Sequence, residues 1–210
     1  PASAAGCFTT NVVKAAPVIV SRSRVPSGNG RAVIVNSGNA NACTGEQGMA
    51  DAREMAARTA GLLGVAEEQV LVASTGVIGQ KLPMEIVRAG IDRAFEALGT
   101  DGRAATRAIM TTDLSPKEAV AEVSLGGTVV RIGGIAKGSG MICPNVATML
   151  SFITTDAAIT PEMLQVALTG AAQVSYNSLT VDGDTSTNDT VIALANGAAG
   201  NGLISSEYGD

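Results

Sequence analysis

Histidine is absent from the 210 residues, and that absence excludes more chemistry than any single residue present establishes. Without imidazole the chain has no Ser-His-Asp or Cys-His dyad and no His-ligated zinc of its own. A nucleophile activated by these residues needs lysine, a carboxylate or an α-amino group as its base. Aromatics are scarce, with three Phe, two Tyr and no Trp, too few for the stacking platforms that bind single-stranded nucleic acid. A net charge of −5 without a basic run argues against any nucleic-acid partner. The three cysteines, Cys7, Cys43 and Cys143, are an odd set with no C-x-x-C pair. Reduced thiols in a cytoplasmic protein are therefore expected, not a disulfide framework. No apolar run is long enough to span a membrane, and residues 4–10 read as the interior of a domain, not as a signal peptide.

What is present, 46% apolar and 16% charged residues, suits one compact globular domain with a sizeable core. Residues 8–11 and 16–21 read as short extended segments. Residues 32–35 form a β-branched strand that runs into a loop of asparagines and glycines over 36–45, followed by a helix over 49–63 that Gly64 can stop. A strand over 70–73 ends in Ser74-Thr-Gly-Val-Ile-Gly79. Pro83 opens a helix whose apolar face is Met84, Val87, Ile91, Ala94 and Leu98. A short helix near 103–110 precedes strands over 117–125 and 128–135, which Gly126-Gly127 joins as a tight hairpin. Residues 146–153 read as a buried strand. Thr160 caps a helix beginning at Pro161, with Leu164, Leu168, Ala171 and Val174 as its stripe. A polar loop over 182–190 leads into a last strand over 191–195. The mixture predicts an α+β fold, a layered sandwich with helices packed on mainly antiparallel β-sheets.

Two motif-like stretches carry no site. Asp182, Asp184 and Ser186 have the opening spacing of a calcium loop, but Thr187 and Ala193 stand where that loop needs Gly and Glu. In Gly134-Ile-Ala-Lys-Gly-Ser139 the lysine precedes the Gly-Ser, so the order of a phosphate loop is broken. No metal site is expected. Cys143 has no histidine to lower its pKa and reads as an inert thiol.

Thr75-Gly76 follows a strand and is either a turn or a hydroxyl and an amide side by side, the parts of an oxyanion hole. Thr148 lies beyond a glycine-rich loop that carries Lys137 and beyond a bend at Pro144-Asn145. It is either a β-branched strand residue or a nucleophile. A threonine that becomes a chain N-terminus carries its own base in the α-amine, with an ordinary pKa near 8, so the second reading needs no histidine. On the residues alone, the strand reading of Thr148 is the favoured one.

Seven motifs occur in one order. They are Phe8-Thr-Thr-Asn11 with Ala15-Ala-Pro-Val18, Asn36-Ser-Gly-Asn-Ala-Asn-Ala-Cys-Thr-Gly45, Ala73-Ser-Thr-Gly-Val-Ile-Gly79, Ile109-Met-Thr-Thr-Asp113, Lys137-Gly-Ser-Gly-Met141, Pro144-Asn145 with Ala147-Thr-Met-Leu150, and Ser186-Thr-Asn-Asp-Thr190. Together they resemble the ornithine acetyltransferase (glutamate N-acetyltransferase) family across essentially the whole chain. The resemblance implies a precursor of the arginine pathway that cuts itself between Ala147 and Thr148. Residues 1–147 would then belong to an α chain, and 148–210 to the start of a β chain within one compact domain.

By the same resemblance Thr148 takes acetyl from N-acetylornithine as an O-acetyl ester and passes it to glutamate. Thr75 and Gly76 match the oxyanion-hole pair, and Thr112, Lys137 and Thr148 match substrate-binding positions. No cofactor is implied, although acetyl-CoA is a possible second acetyl donor. The implied assembly has two α and two β chains. Cys143 and Val146 depart from the family pattern, which often has His or Ala and then Met there. The family's chain is much longer, so sequence before Pro1 and after Asp210 is expected, with further substrate contacts. Three alternatives remain: a self-cleaving aminopeptidase or hydrolase of the same fold, a paralogue of secondary metabolism with another acyl acceptor, and a ligand-binding module without catalysis.

Overall fold

A computed structural model of the chain describes residues 1–140, 149–179, 181, 182 and 184–207. The elements run β1 (Ala2–Phe8), α1 (Ala16–Arg22), β2 (Ser27–Gly30), β3 (Ala32–Asn39), α2 (Gly45–Leu63), β4 (Val70–Val77), α3 (Met84–Glu96), α4 (Gly102–Ala108), β5 (Lys117–Leu125), β6 (Thr128–Lys137), β7 (Leu150–Thr155), α5 (Pro161–Val174) and β8 (Thr190–Ala195). Two sheets result, one of six strands ordered β2-β1-β8-β7-β6-β5 and one of two strands, β3-β4. The ladders β1–β2, β1–β8, β5–β6 and β6–β7 are antiparallel, and β7–β8 and β3–β4 are parallel. This is the expected layered α+β sandwich.

The period-2 alternation of side chains sorts the apolar residues into layers. From β8, Val191, Ala193 and Ala195 join Ala5 of β1 and Leu164 and Leu168 of α5 in one cluster. The alternate residues Ile192 and Leu194 face the other way and meet Ala4, Phe152, Leu71 of β4 and Val33 of β3 between the two sheets. On the far side of the small sheet, Val70, Val72, Ala32 and Ile34 pack against residues of α1, α2 and α3, among them Val20, Met55 and Ile91. The order of layers is therefore α5, the large sheet, the small sheet, and the α1-α2-α3 layer.

Several local expectations hold. Gly64 ends α2 in the left-handed conformation, with its amide returned to the last turn. Gly126 and Gly127 both take positive φ, 55° and 85°, in the β5–β6 turn. The Thr160 hydroxyl accepts a hydrogen bond from the Met163 amide at 3.3 Å.

Other expectations need correction. The extended reading of residues 16–21 is wrong, because they lie in helix α1. Pro17 sits in its first turn, and Ala16, Val18 and Val20 are buried, so tertiary burial overrides the β preference of Val-Ile-Val. The strand expected over residues 8–11 instead lies upstream, ending at Phe8. In α5 it is Ala172, not Ala171, that is buried with Leu164 and Leu168, and Val174 is exposed. Leu98 lies beyond α3 and is exposed.

Candidate active site

Parallel pairing of β3 with β4 brings the carboxyl ends of both strands to one place, with Ser37 opposite Thr75 and Gly38 opposite Gly76. The backbones approach so closely there that a Cβ on Gly76 would stand 2.2 Å from the Gly38 carbonyl carbon, and Gly76 itself has φ +136°. Only glycine fits. The asparagine loop then locks the strand ends. Asn36 Nδ2 donates to the Asn39 carbonyl at 2.8 Å, the Ser74 hydroxyl donates to Asn36 Oδ1 at 2.5 Å, and Asn41 Nδ2 donates to the Gly48 carbonyl at 2.8 Å. The stretch does connect strand to helix, but it is shorter than expected: β3 runs on to Asn39 and α2 starts at Gly45.

Lys137 ends β6 and is only 4% exposed. Its Nζ donates to Thr75 Oγ1 at 3.1 Å, a buried bond across the two sheets. Burial lowers the lysine pKa below its ordinary value; the charges of Asp113 and Asp189 oppose this, and that of Lys117 adds to it. The next residues are tied down by the turn after α4. The Gly138 amide donates to Asp113 Oδ1 at 2.7 Å, and Lys117 Nζ donates to the same oxygen at 2.6 Å. Thr112 and Ser139 share a hydroxyl–hydroxyl hydrogen bond of 2.7 Å. Partial burial by itself would raise the Asp113 pKa, but the Gly138 amide, the Lys117 ammonium and the Thr111 amide outweigh it and hold the carboxyl below its ordinary value.

Three residues chosen from the sequence, Thr75, Lys137 and Thr112, are thus brought together. Lys137 touches Thr75 directly, and Thr112 reaches the Lys137 loop through Ser139. Gly76 follows Thr75 along β4. The scissile pair Ala147 and Thr148, with Cys143, the Pro144-Asn145 bend and Val146, lies outside the described residues. Met149, the residue after Thr148, is described, and its neighbour Leu150 pairs with Lys137 across β6 and β7.

Sequence reasoning assigned no role to Asp189. Its side chain is fully buried, and its Oδ1 accepts from the Met149 amide at 3.0 Å. Oδ2 has no hydrogen-bond partner among the described residues. Desolvation pushes this carboxyl up to about 8, against the lowering influence of the Met149 amide, Ser186 and Lys137. The signal was the Ser186–Thr190 motif itself, which was noted without a role. Among the described residues no group of three or more cysteine or acidic side chains is placed to hold a metal ion, and no helix is long and apolar enough to cross a membrane.

Fold and site define a layered α+β protein whose candidate site residues gather where strand ends of two stacked sheets meet. The comparisons then fix the family. The chain belongs to the ArgJ family, the ornithine acetyltransferases, whose family model matches residues 1–209. An arginine biosynthesis bifunctional protein ArgJ of Symbiobacterium thermophilum is 59% identical over 205 residues, covering 97% of this chain and 51% of that protein. The crystal structure of the arginine biosynthesis bifunctional protein of Bacillus halodurans superposes with TM-score 0.64 at 43% identity, over 69% of this chain and 77% of that one. The ornithine acetyltransferase of Mycobacterium tuberculosis, solved in complex with ornithine, gives TM-score 0.61 at 40% identity, with the same coverage. The chain spans about half the length of the curated relatives it matches.

Proposed function

We propose that the protein to which this chain belongs is a self-processing acetyltransferase of arginine biosynthesis, with Thr148 as its nucleophile. The observation that carries this reading is the buried Lys137–Thr75 bond, which sets a cation and a hydroxyl beside the entry to β7. In the precursor the Thr148 hydroxyl attacks the Ala147 carbonyl, the peptide becomes an ester, and water releases residue 147 as a free carboxylate. Thr148 is then an N-terminus, and its α-amine is the base that a chain without histidine otherwise lacks.

In turnover that amine takes the hydroxyl proton as Thr148 Oγ1 attacks the acetyl carbonyl of N-acetylornithine. The oxyanion is held by Thr75, its hydroxyl oriented by Lys137, and by the Gly76 amide. The amine returns the proton to the departing ornithine and leaves an O-acetyl-Thr148 ester. Glutamate's amine then attacks the ester, giving N-acetylglutamate and free Thr148, a ping-pong cycle. Lys137 gives one N–H to Thr75, and its ammonium receives a substrate carboxylate, with Thr112 at the same site. No cofactor takes part, and acetyl-CoA is an alternative donor to the same threonine. Two α and two β chains in the cytoplasm complete the proposal. The names of the relatives support the pathway and the acetyl transfer.

Full-length protein and Thr148→Ala are compared on a denaturing gel, with N-terminal sequencing of the products. Cleavage before Thr148 in the wild type and none in the variant is expected. N-acetylornithine should then add one acetyl group to the Thr148-bearing chain. Ornithine release indifferent to glutamate would instead mark a hydrolase, and one uncleaved, unacetylated wild-type chain would leave only a binding module.

A further inference from the structure

The Ser186–Thr190 motif sits where both sheets converge, yet nothing in the proposed reaction uses it. Its loop is heavily bonded. The Thr9 hydroxyl donates to the Ser186 carbonyl at 2.6 Å, the Ala15 amide to the Thr187 carbonyl at 3.0 Å, and the Thr9 amide to the Asp189 carbonyl at 2.9 Å. The backbone of the loop is thereby fixed from the β1 side, and two consecutive side chains leave it in different directions.

Asn188 reaches the small sheet. Its Nδ2 donates to the Ala40 carbonyl at 2.6 Å and to the Ser74 carbonyl at 2.8 Å, and Ser74 is bonded covalently to Thr75. The amide itself is held, because the Thr187 hydroxyl donates to Asn188 Oδ1 at 2.6 Å. Asp189 reaches the large sheet, where Oδ1 accepts from the Met149 amide at 3.0 Å. The Thr190 amide donates to the Met149 carbonyl, also at 3.0 Å. Met149 is therefore gripped at both backbone polar groups, one residue past Thr148.

We propose that Asn188 and Asp189 are paired positioning residues that set the distance between the oxyanion residues Thr75 and Gly76 and the nucleophile Thr148. One side chain indexes the strand of the oxyanion hole, and the other indexes Met149, the residue between the nucleophile and the start of β7. The inference rests on the acetyltransferase reading above. A device of this kind holds Met149, the residue after the Ala147–Thr148 bond, through contacts on the downstream side of that bond. Chemistry at that bond is sensitive to this spacing, since a misplacement of about 1 Å can cost on the order of a hundredfold in rate.

The test uses the full-length protein carrying Asp189→Ala, Asp189→Asn and Asn188→Ala, read by self-cleavage rate, by kcat and KM for N-acetylornithine, and by melting temperature. Asp189→Ala should slow cleavage and lower kcat by at least roughly tenfold with little change in KM. Asp189→Asn keeps an acceptor for the Met149 amide and should recover both to within about threefold. Asn188→Ala should lower kcat in the same manner. If it does not fold, the two Asp189 variants decide alone. Folded alanine variants that cleave and turn over like the wild type overturn the proposal, as does an Asp189→Asn as impaired as Asp189→Ala. Thr148→Ala separates the two levels. If it still cleaves, the acetyltransferase reading has failed; if it is blocked while the alanine variants behave normally, only the positioning role has failed.

Discussion

Lys137 and Thr75, 62 residues apart in the chain, meet through a buried hydrogen bond of 3.1 Å that joins the large sheet to the small one. Each serves the other: a buried ammonium needs an acceptor, and the hydroxyl proposed for an oxyanion hole needs an orientation. Thr75→Val removes the acceptor that Lys137 has among the described residues. The expected cost is on the order of 1–3 kcal/mol of stability, with a fall in kcat of roughly a hundredfold or more. Urea denaturation and steady-state kinetics of the same sample measure both.

Lys137→Met should behave differently. Removal of a cation whose burial already depresses its pKa relieves a desolvation cost, so the melting temperature should hold or rise. Acetyl transfer should nevertheless fall at least about tenfold, with KM for the amino-acid substrate rising if the lysine receives its carboxylate. A variant as active as the wild type would remove Lys137 from the reaction.

Gly76→Ala probes the close approach of β3 and β4. The new methyl would stand 2.2 Å from the Gly38 carbonyl carbon and 2.5 Å from the Asn39 nitrogen, at a φ of +136°. Both strain and overlap act, so a loss of about 3 kcal/mol or more is expected in chemical denaturation. A neutral result would contradict the strand spacing described here.

Asp189 makes stability depend on pH. Its carboxyl is raised to about 8 in the folded chain, whereas an unfolded aspartate ionises near 3.9. Between about pH 4 and pH 8 the folded state therefore binds more protons than the unfolded state, and stability falls as pH rises through that window, levelling off above it. Asp189→Asn should abolish this slope and be more stable than the wild type at pH 8 relative to pH 5. Thermal melts across the range check the sign.

Asp113→Ala cuts the tie between the Thr111–Asp113 turn and the Gly138 amide, together with the Lys117 ion pair. Thr112 then loses its fixed place beside Ser139. A rise in KM for N-acetylornithine of roughly tenfold is expected, with self-cleavage altered much less. Titration of ornithine release against substrate concentration measures it.

Much of the fold was legible because local rules carry it. The continuous apolar run 191–195 predicts a strand, Gly64 stops a helix, and a Gly-Gly pair closes a hairpin. Helix α1 was not legible in the same way. Pro17 marks a first turn, but Val-Ile-Val scores as a strand, and only burial of Val18 and Val20 against other elements decides for the helix. The candidate site was half legible. Thr75, Gly76, Thr112 and Lys137 stood out by motif, whereas Asn188 and Asp189 sat in a recognised motif without a visible task.

The residue inventory by itself bounded the chemistry that these 210 residues can supply: with no histidine among them, a hydroxyl activated by the chain's own groups has to find its base elsewhere. It also determined the apolar runs that become strands, and the ordered motifs that mark the family. Which side chains meet was decided by the tertiary structure alone. Asn188 bonds Ala40 across 148 residues, and Asp189 bonds Met149 across 40. Helix and strand periodicity couple only residues a few positions apart, so such partners have no local signature and emerge only when the two sheets stack.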